Sequence, residues 1–193
     1  TTGSRTAGVP YNITLNQGQT YQLRNTGSFP NDLSGTIIQS DKPIAVFGSH
    51  QCANIPAGFV ACDHIVEQLP PTSTWGQAFV TEPLATRLRG DTFRILASQD
   101  ATTVSVNGAV VATLNRGQFH ERILTAASVI NADNPILVAQ YSNGSSFDNV
   151  TSDPFQVLIP PFEQFLASYT VTTPASGFRA NFINVVAPNT AVG

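Results

Sequence analysis

The sequence has no Met, one Trp and a single Lys, Lys42, and only 11% of its 193 residues are charged, against about a quarter in an ordinary globular domain. The nine basic residues are scattered from Arg5 to Arg179 and the net charge is −3. A nucleic-acid binder needs a basic stripe to displace counterions. None can be read here, which argues against nucleic acid and against an anionic membrane surface. Apolar runs such as Ile44–Phe47 fall far short of a membrane span. Catalytic signatures are missing too: no Gly-X-Ser-X-Gly elbow, no His-Glu-X-X-His, no phosphate-cradling glycine loop. With only His50, His64 and His120 available, Ser49, Asp63 and His64 form a triad in residue type alone. Geometry, not composition, identifies a triad, so no enzyme, catalytic residue or cofactor is expected. What remains is 41% hydrophobic residues, enough for a folded chain rather than a disordered one, with Thr, Ser, Asn, Gln and Gly in place of charge.

The sequence contains a repeat. Thr14-Leu15-Asn16-Gln17-Gly18-Gln19 returns as Thr113-Leu114-Asn115-Arg116-Gly117-Gln118. Ser40-Asp41-Lys42-Pro43-Ile44-Ala45-Val46 returns as Ala132-Asp133-Asn134-Pro135-Ile136-Leu137-Val138. Gln68-Leu69-Pro70-Pro71 returns as Leu158-Ile159-Pro160-Pro161, and Trp75 and Phe79 return as Phe165 and Tyr169. Phe93–Ala97 returns within Phe182–Ala187.

Each block reads as β structure. Thr103–Val106 and Val110–Leu114 flank Asn107-Gly108, the pair that suits a type I′ hairpin turn because both central residues need positive φ. Ile13–Leu15 and Tyr21–Leu23 flank a second turn pattern. Ile44–Phe47 and Ile136–Ala139, each after an Asp-X-Pro turn, predict strands buried on both faces. Only Phe162–Leu166 hints at a helical turn. The pattern predicts an all-β protein of two tandem homologous β-sandwich-like modules of about 90 residues each, residues 1–100 and 101–193. The segment Pro188–Gly193 aligns with the start of the Asn107-Gly108 hairpin. The true module boundaries are therefore expected to be offset, with flanking repeats or pairing between neighbouring copies.

At these blocks the chain resembles the IgGFc-binding protein N-terminal domain family. The resemblance is carried by Ser40–Phe47, Cys52–Pro56, Cys62-Asp63-His64, Glu67–Pro71, Trp75-Gly76, Gly90–Ala97 and Thr102–Val104. It covers about residues 10–187. It implies an extracellular or cell-surface module, found in a mucin-like animal secretory protein and in bacterial surface proteins, with no catalytic residues to transfer.

In an extracellular chain, Cys52 and Cys62 are expected to form a disulfide. The second copy lacks both, so the bridge is local bracing. The competing reading is tetrahedral zinc held by His50, Cys52, Cys62 and His64. Asn12, Asn143 and Asn149 begin Asn-X-Ser/Thr sequons and are glycosylation candidates. Asp148, Asp153, Asn143 and Asn149 offer hard oxygens for calcium, though at no EF-hand spacing. Arg89-Gly90-Asp91 is an integrin-type tripeptide that turn chemistry before a strand explains equally well. Trp75, Phe79, Phe165 and Tyr169, recurring in both copies, read as core, with a sugar platform as the alternative. The expected function is adhesion or recognition of a protein or glycan ligand on a larger secreted or surface protein. The alternative is a structural subunit of a fibre or surface layer, assembling by strand complementation between copies.

Overall fold

The structure, a computed structural model, describes residues 4–188. The expected equivalence of Asn189–Gly193 with the first-copy hairpin lies outside the described residues. The chain forms two units, residues 1–33 and 34–193.

The first unit carries turns and no strand among its described residues. The hairpin expected across Ile13–Leu15 and Tyr21–Leu23 is absent, but its turn is present. The N–H of Gln19 donates to the carbonyl of Asn16 at 3.0 Å, and Gln19 Oε1 accepts from Asn16 N–H at 2.9 Å. Gly18 sits at φ +80. A tilted ring contact joins Tyr11 and Tyr21, with centroids 6.4 Å apart.

The second unit is almost entirely β. Strands β1 (Phe47–Ala53) and β2 (Asp63–Gln68) form an antiparallel ribbon. The remaining strands are β3 (Gly76–Thr81), β4 (Asp91–Ala97), β5 (Thr102–Val106), β6 (Ala109–Leu114), β7 (Phe119–Leu124), β8 (Ser128–Tyr141) and β9 (Gln156–Leu158). They form one sheet with the order β6-β5-β8-β4-β7, to which β3 and β9 also pair through β8. The β5–β6 turn is the expected one, with Asn107 at φ 51 and Gly108 at φ 82.

The 14-residue strand β8 organises the sheet. Its first half lies between β3 and β5 (Phe79↔Ile130, Val106↔Ile130), its second half between β4 and β9 (Ile95↔Val138, Ala139↔Leu158). Pro135, expected to end a turn, instead lies within this strand at the changeover. Proline is tolerated there because ladder bonds on both sides change partners at that point. The sheet thereby folds over one core of Phe79, Phe93, Ile95, Val104, Ile130, Ile136 and Val138, all essentially inaccessible to solvent.

Ile136 and Val138 are buried as expected. Of their first-copy equivalents, Ile44 is more than half exposed and Val46 half-buried, and Phe47 beside them is more than half exposed, because β1 has only β2 beside it. Phe79 is core, but Trp75 and Phe165 are half-buried and Tyr169 is exposed. The boundary expected at residue 100 falls between β4 and β5, inside one sheet. Strands β3 and β4 pair with β8 across it, so residues 76–158 share a single core.

The repeat is nevertheless visible in backbone geometry. The turn at Asn115–Gln118 reproduces that at Asn16–Gln19: Gln118 N–H to Asn115 O at 2.8 Å, Asn115 N–H to Gln118 Oε1 at 2.8 Å, Gly117 at φ +81. Short 3-10 turns follow both Pro pairs, at Thr72–Thr74 and Phe162–Gln164. The second of these is the helical turn anticipated from the sequence.

Candidate functional site: a braced loop cluster

Three loops converge beside the second half of β8. One is the β1–β2 loop, closed by a disulfide between Cys52 and Cys62 with Cα atoms 5.0 Å apart. The second follows β8 and contains a single helical turn, α1 (Ser145–Asp148). The third is the β3–β4 connection. The first two are the two copies' corresponding long loops, and the third lies within the first copy.

The disulfide loop seats on α1. Gly144 N–H donates to Ile55 O at 2.7 Å, and the Ser146 hydroxyl donates to Val60 O. Phe59 and the buried Phe147 meet edge to face at 5.0 Å, a favoured aromatic geometry. A Cβ on Gly144 would lie 2.7 Å from Ala61 O, so a glycine is needed for this approach.

The β3–β4 connection is clamped from the other side. Asp148 Oδ1 accepts from Arg87 Nη2 at 2.7 Å and Oδ2 accepts from Leu88 N–H at 3.0 Å. The side chains of Arg87 and Asp148 are 2% and 0% exposed. Arg89 donates to Phe147 O at 2.7 Å and its guanidinium lies 4.4 Å from the Phe147 ring centroid, a cation–π contact.

Beneath the cluster runs a buried polar network. Asn143 donates to Gly90 O at 2.9 Å and accepts from the Thr92 hydroxyl at 2.7 Å. Asp91 Oδ2 accepts from Leu84 N–H at 2.6 Å and from Gln140 Nε2 at 3.0 Å, while Oδ1 has no partner. Burial raises the Asp91 pKa, and hydrogen bonds from Leu84 and Gln140 oppose the shift.

The sequence candidates separate cleanly on this geometry. Both sulfurs required by the zinc set are consumed by the bridge, and His50 Nδ1 accepts from the Cys52 N–H at 3.0 Å. Two of the four residues of the calcium reading are already engaged: Asp148 is paired with Arg87, and Asn143 is buried with both ends of its amide bonded. A glycan on Asn143 would displace the bond to Gly90, whereas Asn12 and Asn149 are exposed. Asp91 is inaccessible, so Arg89-Gly90-Asp91 cannot be offered to an integrin-type receptor. Ser49 pairs with Val66, and Asp63 Oδ1 accepts from the His64 backbone N–H at 2.6 Å. Sequence reasoning missed the Arg87–Asp148 clamp. No local pattern announces a pair separated by 61 positions.

Fold and site together define a disulfide-braced, all-β domain that presents loops at one end of its long central strand. A family model described as IgGFc binding protein matches residues 1–193, and the chain belongs to that family. It is 31% identical over 169 residues to the human protein named IgGFc-binding protein, which covers 86% of this chain. The chain spans only 3% of the length of that relative. No solved structure matches. The family is one of binding proteins, and the disulfide suits an oxidising, extracellular setting. Among the described residues no helix is long and apolar enough to cross a membrane.

Proposed function

We propose that the chain is a non-enzymatic adhesion or recognition module of an extracellular or cell-surface protein, meeting a protein ligand through the braced loop cluster. The observation that carries this reading is the pair of exposed apolar residues held on rigid supports. Val60 and Leu88 are both strongly exposed, yet the backbone of each is hydrogen-bonded to α1, through Ser146 and Asp148 respectively. Pre-ordered loops lose little entropy on binding, and apolar side chains presented this way suit a protein surface better than a sugar. The relative's name makes antibody Fc the first ligand to try. Asn12 and Asn149 are the positions proposed for glycans.

Surface plasmon resonance against immobilised Fc tests the reading, using the intact chain and Val60→Asp and Leu88→Asp variants. Saturable binding weakened at least tenfold by either change supports it. Binding indifferent to both changes, or capture of glycans with no protein ligand, overturns the loop cluster as the site.

A further inference from the structure

The two turns that follow the Pro pairs, one from each copy of the repeat, meet at the start of β3. Gln164 Nε2, in the second turn, donates to Thr74 O of the first at 2.6 Å, and the Gln77 N–H donates to Glu163 Oε1 at 3.0 Å. Gln77 Nε2 reaches on to Asp133 O in β8 at 2.8 Å. A Cβ on the buried Gly76 would lie 2.2 Å from Pro161 Cβ and 2.8 Å from Glu163 Oε2, so glycine is needed for this contact. Between the turns lies a groove of about 440 Å³, whose lining includes Trp75, Gln77, Pro135, Pro161, Glu163 and Gln164. Its size falls in the range of small-ligand sites, roughly 300–1,000 Å³. It sits at the midpoint of β8, marked by Pro135, whereas the loop cluster is built on α1, beyond the end of that strand.

The repeat departs from itself at this groove. Trp75, Gly76 and Gln77 correspond to Phe165, Leu166 and Ala167, while Glu163 and Gln164 correspond to Ser73 and Thr74. Each copy supplies a side-chain amide or carboxylate that its counterpart lacks, and these line one groove. Trp75 Nε1 donates to Pro70 O at 3.1 Å, so the indole offers the groove its ring and no polar atom. The rings of Pro135 and Pro161 add further apolar surface. Both Gln amides are anchored through Nε2 on backbone carbonyls. Among the described residues, Gln77 Oε1, Gln164 Oε1 and Glu163 Oε2 accept no hydrogen bond. Three fixed acceptors beside an apolar surface call for a ligand that brings hydroxyl donors on a C–H framework. No Lys or Arg lines the groove among the described residues, which with Glu163 disfavours an anion. A cation or a proline-rich peptide is held by several aromatic rings, and Trp75 is the single aromatic residue of this lining.

We propose that this groove is a binding site for a neutral carbohydrate. One sugar ring lies with its C–H face against Trp75, and its hydroxyls donate to Gln77, Glu163 and Gln164. The cross-links between the turns hold these groups in place before the ligand arrives, so little ordering entropy is lost on binding. The inference uses none of the loop-cluster residues and is independent of what that cluster binds.

Trp75 is the single tryptophan of the chain, so tryptophan fluorescence reads this groove directly. The intact chain is titrated with neutral oligosaccharides of glucose, galactose, mannose and N-acetylhexosamine, and with a sialylated oligosaccharide and a proline-rich peptide for comparison. At least one neutral oligosaccharide is expected to shift the emission saturably, with a dissociation constant on the order of 1 mM, as suits an open groove that contacts one ring. Gln77→Ala/Gln164→Ala should weaken that response at least tenfold. Both residues are exposed, and an unchanged circular dichroism spectrum verifies the fold; Gln164→Ala alone, expected to weaken the response in the same direction, serves if the double variant is unstable. Val60→Asp and Leu88→Asp, in the loop cluster, should leave the response intact. No response to any of the neutral oligosaccharides, a stronger response to the sialylated sugar or the peptide, a response indifferent to the Gln changes, or one abolished by the loop-cluster changes would overturn the proposal.

Discussion

Replacing Asp148 by Asn tests the clamp that holds the β3–β4 connection against α1. The change keeps the volume of the side chain and removes its charge. Asp148 now serves two donors with two oxygens, Arg87 Nη2 at 2.7 Å and Leu88 N–H at 3.0 Å. Asn has one oxygen, so one donor must face an NH2 group. The guanidinium has no other hydrogen bond to fall back on: Arg87 Nε and Nη1 are buried without hydrogen-bond partners. Removing one member of such a buried pair costs about 3–5 kcal/mol, because the surviving charge stays desolvated. In urea unfolding, with a slope near 2 kcal/mol per M, the midpoint should fall by about 2 M. The double variant Arg87→Met/Asp148→Asn removes the stranded cation and leaves the Asn oxygen for Leu88. It should recover to within about 1 kcal/mol of the intact chain. A single variant within about 0.5 kcal/mol of the intact chain, the range of inert surface changes, would refute the reasoning. So would a double variant as unstable as the single one.

Gly90→Ala should cost at least about 2 kcal/mol by thermal unfolding, since its φ of +75 is strained for Ala and the new Cβ would lie 2.1 Å from Leu124 O. Gly108→Ala, at φ +82 with nothing within 4 Å of the added Cβ, should cost only the conformational strain, about 1 kcal/mol. Replacing Cys52 and Cys62 together by Ser should lower stability by about 2–3 kcal/mol, and a reductant should lower the melting temperature of the intact chain to match. For Asp91, burial raises the folded-state pKa above the ordinary 3.8, so the folded chain holds this proton more tightly than the unfolded one. Its penalty therefore grows as pH rises from 3.8 through the folded pKa and is complete above it. The Asp91→Asn variant should gain on the intact chain across that window, and parallel urea stabilities from pH 3.5 to 7.5 check it. A difference independent of pH would show that burial does not perturb this carboxyl.

The sequence made local features legible and left partnerships hidden. Asn107-Gly108 specifies its turn because few residues tolerate two successive positive φ values. Asn16–Gln19 and Asn115–Gln118 form the same bonded turn because each carries the same Asn, Gly and Gln at the same spacing. By contrast, the loop cluster is built from contacts such as Arg87–Asp148 and Thr92–Asn143, 61 and 51 positions apart, which no periodicity encodes. One signal was available. The Gly90-Asp91-Thr92 block becomes Arg179-Ala180-Asn181 ahead of Phe182 in the second copy. Where a repeat departs from itself at three consecutive positions, the first copy is serving something the second does not. The structure shows what that is: the close approach at Gly90, the buried carboxyl of Asp91 and the Thr92 bond to Asn143.

The same departure separates β propensity from β structure. Ile37–Phe47 and Val129–Ala139 carry the same apolar pattern around the same Asp-X-Pro, and their intrinsic preferences are alike. One is the strand at the centre of the sheet. The other is exposed along Ile37, Ile38 and Ile44, before β1 begins at Phe47. A central strand gains its burial from the neighbours on both edges and from the layer across the core. For β8 those neighbours arrive from residues 76–97, upstream in sequence. The first copy's strand has β2 alone beside it among the described strands. Burial of the two like sequences is thus set by the strands that pair with each, not by their own propensity. Replacing the exposed Val185 by Asp should consequently leave the stability of the chain nearly unchanged in urea unfolding. The equivalent substitution in β4, Ile95→Asp, should unfold it.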